Sequence, residues 1–205
     1  MEYLNINIMF YLSAYLVGSI PFGLILAKLF AKVNIQQSGS QSIGATNVLR
    51  VVKEKDPRLA QKLGIATILF DGTKGMGIIT VAYMFDLSLE TVWAVGVLSV
   101  LGHCYSIYLV FEGGKGVATA LGVFLILLPI PTLIGVVVWV ASAKLFKISS
   151  ISSLAALAGI MLSAIVLNDG LGINSNAPLY IIIFIIFYKH IPNIIRVFQG
   201  KEKKI

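Results

Sequence analysis

One short segment combines three glycines with a lysine in a chain that is otherwise mostly apolar. It runs from Phe111 to Thr119, FEGGKGVAT, and an apolar run from Val117 to Leu128 overlaps and continues it. Glycines leave backbone N–H groups accessible, and the first amides of a helix lack partners within the helix and lie at its positive end. With Lys115 beside them, these amides predict a site that binds an anion, and phosphate is the first candidate.

This segment differs from the phosphate-binding loop of nucleotide triphosphatases. It has neither the four-residue spacer between glycines nor a Ser or Thr directly after Lys115. A nucleotide triphosphatase is therefore disfavoured. A lone GGKG is a weak motif, and a lysine at a helix start is also typical of a side chain that only extends to the membrane surface.

Small polar residues form four segments, which the topology below places on one side of a membrane. They are SGSQSIGATNVLR at 38–50, GHCYSIYLVFEGGKGVAT at 102–119, KISSISSL at 147–154 and KHIPNIIR at 189–196. Any one of them is equally well explained by turns and helix caps, which favour these residue types. Four such segments on the same side of the membrane, with few acidic residues among them, favour a binding site for an anionic substrate.

Other reactive side chains have structural explanations as well as functional ones. His103 and His190 are equally typical of hydrogen-bonded histidines near a membrane surface, and no set of His and Cys with the spacing of metal ligands is present. Ser149 and Ser152 are expected to pack between helices. Acids are too scarce in the four segments to suggest a Ser-His-Asp triad, so the sequence predicts no protein base.

The composition indicates a membrane protein. Of the 205 residues, 58% are hydrophobic and 12% charged, and the mean hydropathy is +0.92, which is more apolar surface than a water-soluble domain can bury. The 16 basic residues exceed the 9 acidic ones, but they lie mainly in short loops between apolar runs, which argues against nucleic acid as a partner. Cys104 is the only cysteine, so no intrachain disulfide is possible.

The apolar runs predict seven transmembrane helices in an all-α polytopic fold, treated as one domain over 1–205. The second run contains Asp71 and Lys74, which share a helix face and can neutralise each other. The fourth run is too short to cross the hydrocarbon fully, so its start should lie below the headgroups. The expected spans are Ile6–Ala27, Leu63–Phe85, Thr91–Val110, Val117–Leu128, Thr132–Ala143 with Leu145 and Phe146, Ile148–Leu167 and Leu179–Tyr188.

The loops between these runs set the expected orientation. Asn34–Lys62 is a polar, basic stretch with a turn at Pro57, and Pro129–Pro131 and the base-free Asn168–Pro178 are expected to be outer turns. Basic residues concentrate on the cytoplasmic side of membrane proteins. The pattern therefore predicts that the N-terminus is outside and that the C-terminus and the four polar segments are cytoplasmic.

Together these segments resemble the acyl-phosphate:glycerol-3-phosphate acyltransferase family, often called PlsY, over nearly the whole chain. The matching motifs are GSIPFG, GS..IGATNVLR, GH.Y......GGKGVAT, S..SL and KH..NI.R. The chain departs from the family at Gln41-Ser42, where the usual pair is Gly-Asn. It also has Cys-Tyr-Ser after His103, where the family often shows a proline two or three residues on.

The resemblance implies roles for residues in each motif. The residues that it implies for catalysis are Lys115, His103, Ser40 and Arg50. The residues that it implies for substrate binding are Thr46, Asn47, Gly113, Gly114, Gly116, Thr119, Ser150, Ser153, His190 and Asn193.

The resemblance also implies the reaction. The family transfers an acyl group from acyl phosphate to the 1-hydroxyl of glycerol 3-phosphate, giving lysophosphatidic acid and phosphate for phospholipid synthesis. The expected setting is the bacterial cytoplasmic (inner) membrane, with the active site facing the cytoplasm. Acyl phosphate, glycerol 3-phosphate and membrane lipids are the expected partners, and no cofactor, metal or required protein partner is expected.

For the mechanism, Lys115 and the glycine amides are expected to hold the donor phosphate, while Arg50, His190 and Asn193 orient the acceptor. Our hypothesis is that the departing phosphate takes the hydroxyl proton, with His103 as the competing base. Two other classes stay open on the sequence alone. They are a small membrane transporter for a phosphorylated or other anionic solute, and a non-catalytic membrane scaffold.

Overall fold

The computed structural model describes residues 2–167 and 171–204, which form helices joined by short turns. A π-helical segment, Ala27–Ala31, follows the second helix, and 3₁₀ turns cover Ile35–Gln37 and Ile107–Leu109. The α-helices in the described part of the chain are α1 (Glu2–Ser19), α2 (Phe22–Leu26), α3 (Ala45–Lys53), α4 (Pro57–Met84), α5 (Leu89–Cys104), α6 (Val117–Leu127), α7 (Pro129–Phe146), α8 (Ser149–Leu167) and α9 (Ala177–Phe198).

The all-α, multi-pass membrane architecture is confirmed. Within the described residues, six segments are long and apolar enough to cross a membrane, and α6, with 11 residues, is shorter than these. The six segments are Ile6–Ala31, Pro57–Met84, Leu89–Leu109, Pro129–Phe146, Ser149–Leu167 and Ala177–Phe198.

Several predicted boundaries were wrong, and each has a local cause. Pro129 begins α7 instead of forming an outer turn, because proline is well tolerated in the first turn of a helix. Pro57 likewise begins α4, where the Asp56 carboxylate accepts hydrogen bonds from the Arg58 and Leu59 amides. The last helix does not end at Tyr188 but continues through Pro192 to Phe198.

The segment 168–178, predicted to be an outer loop, falls partly outside the described residues. Residues 168–170 are not among them. From Leu171 the chain leads through a short turn to α9, whose first turn contains Pro178.

Glycines allow the helices that carry the site to pack closely. A Cβ atom on Gly122 of α6 would lie 2.0 Å from the Gly72 carbonyl oxygen of α4, and one on Gly102 of α5 would lie 2.3 Å from the Tyr15 carbonyl oxygen of α1. Helices in a membrane associate through such close backbone contact because no hydrophobic effect drives them together in lipid. The short α6 is therefore held against α4.

Two clusters of buried apolar side chains hold the elements around the site. The larger joins α1, α4, α5, α6, α8 and α9 around Trp93, Phe124 and Ile186. The smaller packs Val48 and Val52 of α3 against α4 and the end of the first span. Because α3 buries only one face, its other face is available to line a cavity.

Candidate active site

One cavity of about 550 Å³ brings residues from all four predicted segments together. Its polar end is formed by the loop before α3 and by α3 itself, the start of α6, the start of α8, and the end of α9 with the C-terminal tail. The predicted site residues that line it are Ser40, Thr46, Asn47, Arg50, His103, Lys115, Gly116, Ser150, Ser153, His190 and Asn193.

The other three predicted residues lie behind the cavity wall. A Cβ atom on Gly113 would lie 2.2 Å from the His103 carbonyl oxygen, and one on Gly114 would lie 2.1 Å from His103 Nε2. Thr119 is fully buried against Gly75 of α4, and its hydroxyl has no hydrogen-bond partner among the described residues. Gly113 and Gly114 let the loop pack closely against His103, and Thr119 packs α6 against α4. None of the three lines the cavity.

Asn47 organises the loop before α3. Its Nδ2 group donates to the carbonyl oxygens of Ile35 at 2.9 Å and Ser42 at 2.8 Å, with the Ser38 carbonyl oxygen also within reach at 3.2 Å, and its Oδ1 accepts from the Ser40 amide at 2.8 Å. Asn47 is 1% exposed. Its amide is therefore used largely to hold the loop that carries Ser40.

The departure from the family motif at residues 41 and 42 has a visible local effect. Gln41 has a φ of 60°, in the left-handed region where glycine is less strained than any other residue. The neighbouring Ser42 hydroxyl accepts a long hydrogen bond of 3.5 Å from the Gly44 amide. Gln41 thus adopts a conformation that favours glycine, the residue that the resemblance leads us to expect at this position.

The glycine-rich loop delivers a helix start to the cavity. The Gly114 amide donates to the His103 carbonyl oxygen at 3.0 Å, and Gly116 has a φ of 83°, which favours glycine. Val117 and Ala118, in the first turn of α6, line the cavity. The first amides of a helix carry partial positive charge, so the polar end of the cavity suits an anion.

Lys115 lies among other cations at this end. The pKa of its ammonium group is lowered to about 8, chiefly by burial; the Glu202 carboxylate opposes this shift, and the nearby Arg196 and Arg50 add to it. A cation that is destabilised in this way gains more than an exposed one when a phosphate provides a counter-charge. The electrostatics therefore favour an anionic ligand beside Lys115.

The predicted pairing of Asp71 with Lys74 is confirmed, and His103 joins it. Lys74 Nζ lies 2.8 Å from Asp71 Oδ1 and 2.9 Å from His103 Nδ1, and Asp71 Oδ1 lies 3.6 Å from His103 Nδ1. Asp71 and His103 line the cavity, whereas Lys74 does not. The helix spacing predicts the pair of Asp71 and Lys74 but not their contact with His103, which lies 29 residues beyond Lys74.

His190 is held from behind by its own helix. Its Nδ1 lies 2.8 Å from the Ile186 carbonyl oxygen, which can only accept, so Nδ1 carries a proton. In the neutral ring this leaves Nε2 as an acceptor. His190 lines the cavity, where such an acceptor can receive a hydrogen bond from a substrate hydroxyl.

Glu202, which no sequence pattern indicated, joins two of the predicted segments. Its carboxylate accepts hydrogen bonds from Ser150 at 2.9 Å, from Asn193 and from Arg196 Nε at 2.7 Å. Partial burial alone would raise the pKa of Glu202, but these hydrogen bonds and the Arg196 charge hold it below its usual value. The C-terminal tail thereby fixes the side chains of Ser150, Asn193 and Arg196.

Two further contacts add residues that the sequence had not identified. Ser149, expected only to pack between helices, lines the cavity and lies 3.1 Å from the Thr46 hydroxyl. Trp139 Nε1 donates to the Ser153 hydroxyl at 3.3 Å and also lines the cavity. Ser152, in contrast, donates to the carbonyl oxygen of Ile148, the residue directly before α8, in agreement with a structural role.

Away from the charged groups, the cavity becomes apolar and extends between α6, α7 and α8. No charged side chain among the described residues contributes to this part. Its lining consists of Leu121, Phe124, Gly135, Val136, Trp139, Ala156, Leu157 and Ile160. The same cavity can therefore accept an ionic group and an attached apolar chain.

A family model described as glycerol-3-phosphate acyltransferase matches residues 8–200. The chain belongs to this family. Two relatives bearing the family name, from Aliarcobacter butzleri and Sulfurimonas denitrificans, are 62% and 53% identical to it. Each comparison covers 98% of this chain and 97% of the relative.

Solved structures of an acyltransferase of this kind have the same fold. The crystal structure of PlsY (YgiH), an integral membrane glycerol 3-phosphate acyltransferase, in its glycerol 3-phosphate form is 31% identical with a TM-score of 0.85. Its lysophosphatidic acid form is 32% identical with a TM-score of 0.83. Both comparisons cover 97% of this chain and 95% of PlsY, so the resemblance noted in the sequence is confirmed at the level of the family.

Proposed function

We propose that this protein transfers an acyl group from acyl phosphate to the 1-hydroxyl of glycerol 3-phosphate, forming lysophosphatidic acid and inorganic phosphate. The observation that carries this proposal is the form of the cavity, which joins a basic, amide-rich end to an apolar end. Membership of the glycerol-3-phosphate acyltransferase family supports the acceptor, as do the two ligand forms in which PlsY was solved.

The donor phosphate binds at Lys115 and the start of α6. The open amides at this helix start and the Lys115 ammonium supply positive charge on one side of the cavity. As the bond between the acyl carbon and the phosphate oxygen breaks, charge grows on the leaving phosphate. Preorganised donors of this type each contribute about 2.7 to 4 kcal/mol to transition-state stabilisation.

The acceptor binds on the opposite side, between α3 and the start of α8 and end of α9. Arg50 contacts its phosphate, and Ser40 and Thr46 lie beside it on the same loop and helix. Asn193 and the acceptor Nε2 of His190 orient the glycerol hydroxyls. The Glu202 carboxylate holds Asn193 and Ser150 in place for this contact.

The chemical step requires positioning more than activation, because acyl phosphate is already an activated donor. The 1-hydroxyl oxygen attacks the acyl carbon, the carbon–oxygen bond to phosphate breaks, and the departing phosphate takes the hydroxyl proton. The reaction therefore needs no protein base, because the departing phosphate accepts the proton. Holding two reactants at attack distance supplies about 7 to 11 kcal/mol in well-oriented systems.

The acyl chain occupies the apolar end between α6, α7 and α8. Burial of an acyl chain stabilises binding by about 0.8 kcal/mol per methylene, whether the chain contacts protein or lipid. Trp139 belongs to the apolar lining and donates to the Ser153 hydroxyl of the polar lining, so the two ends of the cavity meet at this pair. The reacting carbonyl is therefore placed at the boundary between the two ends.

The protein lies in the bacterial cytoplasmic membrane as seven crossings, with its N-terminus outside and the active site facing the cytoplasm. The start of α8 and the start of α6 line the same end of the cavity, and α6 ends directly before α7 begins. With 11 residues, α6 spans about 16 Å, against about 27 Å for the 18 residues of α7. This supports α6 as a short crossing whose start lies below the headgroups.

The test uses the full-length protein purified in detergent, with palmitoyl phosphate and glycerol 3-phosphate. Phosphate release that depends on glycerol 3-phosphate, together with lysophosphatidic acid formation, is the expected result. Palmitoyl-CoA in place of palmitoyl phosphate should give no product. If neither donor yields product while liposomes containing the protein take up glycerol 3-phosphate, the protein is a transporter.

Single-residue variants test whether acyl transfer depends on the charged residues of the cavity. Lys115→Ala and Arg50→Ala are each expected to lower kcat/KM by about 10²-fold or more, since each removes a charged contact to a phosphate. Exposed Lys53, at the end of α3, provides the matched control in Lys53→Ala, which should retain activity. Wild-type rates in Lys115→Ala would contradict the proposed donor site.

A further inference from the structure

We propose that Lys74, which does not line the cavity, is a positioning residue that fixes the tautomer of His103. In this arrangement His103 is neutral, its Nδ1 accepts a hydrogen bond from Lys74, and its Nε2 carries the proton towards the glycine-rich loop. The inference relies on the proposed function only for what His103 donates to. The state of the ring itself follows from the contacts of Lys74.

Lys74 has three close polar neighbours, all in positions to accept. Its Nζ lies 2.8 Å from Asp71 Oδ1, 2.8 Å from the Ile20 carbonyl oxygen and 2.9 Å from His103 Nδ1. The Ile20 carbonyl lies at the break between α1 and α2 and accepts from the Phe22 amide at 3.2 Å, and its second lone pair can accept from Lys74. A lysine ammonium group has three N–H bonds, so these three contacts use all of its donors.

The charge of Asp71 decides which way the proton lies between Lys74 and His103. The Asp71 side chain is 3% exposed, and a buried carboxylate needs a cation beside it. Lys74 is close enough to provide that charge, whereas His103 Nδ1 is 3.6 Å from the same oxygen, beyond ordinary hydrogen-bond length. Lys74 is therefore the charged partner, and His103 Nδ1 is the acceptor.

This tautomer directs the Nε2–H bond of His103 towards the glycine-rich loop. With Nδ1 occupied, the remaining proton of the neutral ring is on Nε2, which faces Gly114, next to Lys115. His103 lines the cavity, and its Nε2–H is directed at the loop that carries Lys115. His103 has no free lone pair to act as a base, in contrast to His190, whose Nδ1 is the protonated nitrogen.

The experiment is ¹⁵N NMR of the full-length protein labelled at histidine, in detergent and without substrate. We expect one neutral ring with a pyridine-type Nδ1 and a protonated Nε2, and a second ring with the opposite pattern. His190→Gln removes the second ring and so assigns the first to His103. A His103 ring with a protonated Nδ1 would overturn the inference.

Lys74→Met tests whether Lys74 sets this pattern. Without the ammonium group, Asp71 becomes the nearest partner, and the proton should move to His103 Nδ1. Thr73→Val, at the neighbouring and exposed position of α4, is the matched control and should leave the wild-type spectrum unchanged. An unchanged His103 tautomer in a folded Lys74→Met protein would also overturn the inference, and if this variant does not fold, the wild-type spectrum decides.

The activity of the variants provides a second readout. Lys74→Met should lower kcat by about 10²-fold, because a shift of the His103 ring displaces the loop that carries Lys115, while the KM for glycerol 3-phosphate changes by less than about threefold. A purely structural defect would instead reduce the amount of folded enzyme and leave the kcat of the folded fraction unchanged. Because the spectrum needs no substrate, failure of the proposed acyl transfer would leave the assignment of the tautomer intact.

Discussion

The carboxylate of Glu202 accepts a 2.9 Å hydrogen bond from the hydroxyl of Ser150, which precedes it by 52 residues. The same carboxylate binds Asn193 and Arg196, so the C-terminal tail closes one side of the cavity. Its side chain is 9% exposed, and its charge acts on both Arg196 and Lys115. Glu202 thus orders the polar end without being required to touch a substrate.

Glu202→Ala should raise the KM for glycerol 3-phosphate by about tenfold. Hydrogen bonds to charged groups contribute about 1.5 to 3 kcal/mol, and their loss would free Ser150 and Asn193 from the positions in which they meet the acceptor. Initial rates at saturating acyl phosphate measure this change. Glu54→Ala, which removes an exposed acid at the end of α3, is the control and should leave KM unchanged.

The pH dependence should report the state of Lys115. Its pKa of about 8 means that the ammonium form is present below this pH and is lost above it, so kcat/KM should fall as the pH rises through about 8. Glu202 raises the pKa of Lys115, so Glu202→Gln should move this alkaline limb to lower pH. A profile of Glu202→Gln that coincides with the wild type would show that another group sets the limb.

The sequence was sufficient to predict the fold class and the segments that form the cavity. Apolar runs between basic loops indicate membrane helices, and Asp71 and Lys74 are three residues apart, within the reach of a helix turn. Helix ends were less predictable. The seventh run loses its apolar character after Tyr188, and the helix continues because its last turns bury one face that includes His190 and Asn193.

Contacts between distant segments could not be predicted. Nothing near Glu202 in the sequence indicates that the tail returns to Ser150, and nothing near Lys74 indicates His103. The glycine-rich motif predicts Thr119 among the binding residues, whereas the turn of α6 directs it towards α4. Contacts between residues far apart in sequence depend on how the helices pack. This packing is determined by close backbone contacts such as that of Gly122 with Gly72.

Asn47→Asp should destabilise the protein by about 2 to 5 kcal/mol. The carboxylate has no N–H groups for the carbonyl oxygens of Ile35, Ser38 and Ser42 and would place a buried charge among them. Thermal unfolding in detergent measures the loss. Gln37→Glu makes the same change from amide to acid at an exposed position of the same loop and should have little effect. Equal unfolding temperatures for the two variants would refute the organising role of Asn47.

Gly114→Ala should reduce kcat by about 10²-fold or more while leaving the protein in the membrane. The added Cβ would lie 2.1 Å from His103 Nε2, so either the imidazole or the loop that carries Lys115 must move, and displaced donors lose most of their effect on a transition state. Gly77→Ala is the matched control, because a Cβ there would meet no described atom within 4 Å. We expect Gly77→Ala to keep wild-type kcat. Full activity of Gly114→Ala would mean that the contact between His103 and the loop does not position Lys115 for catalysis.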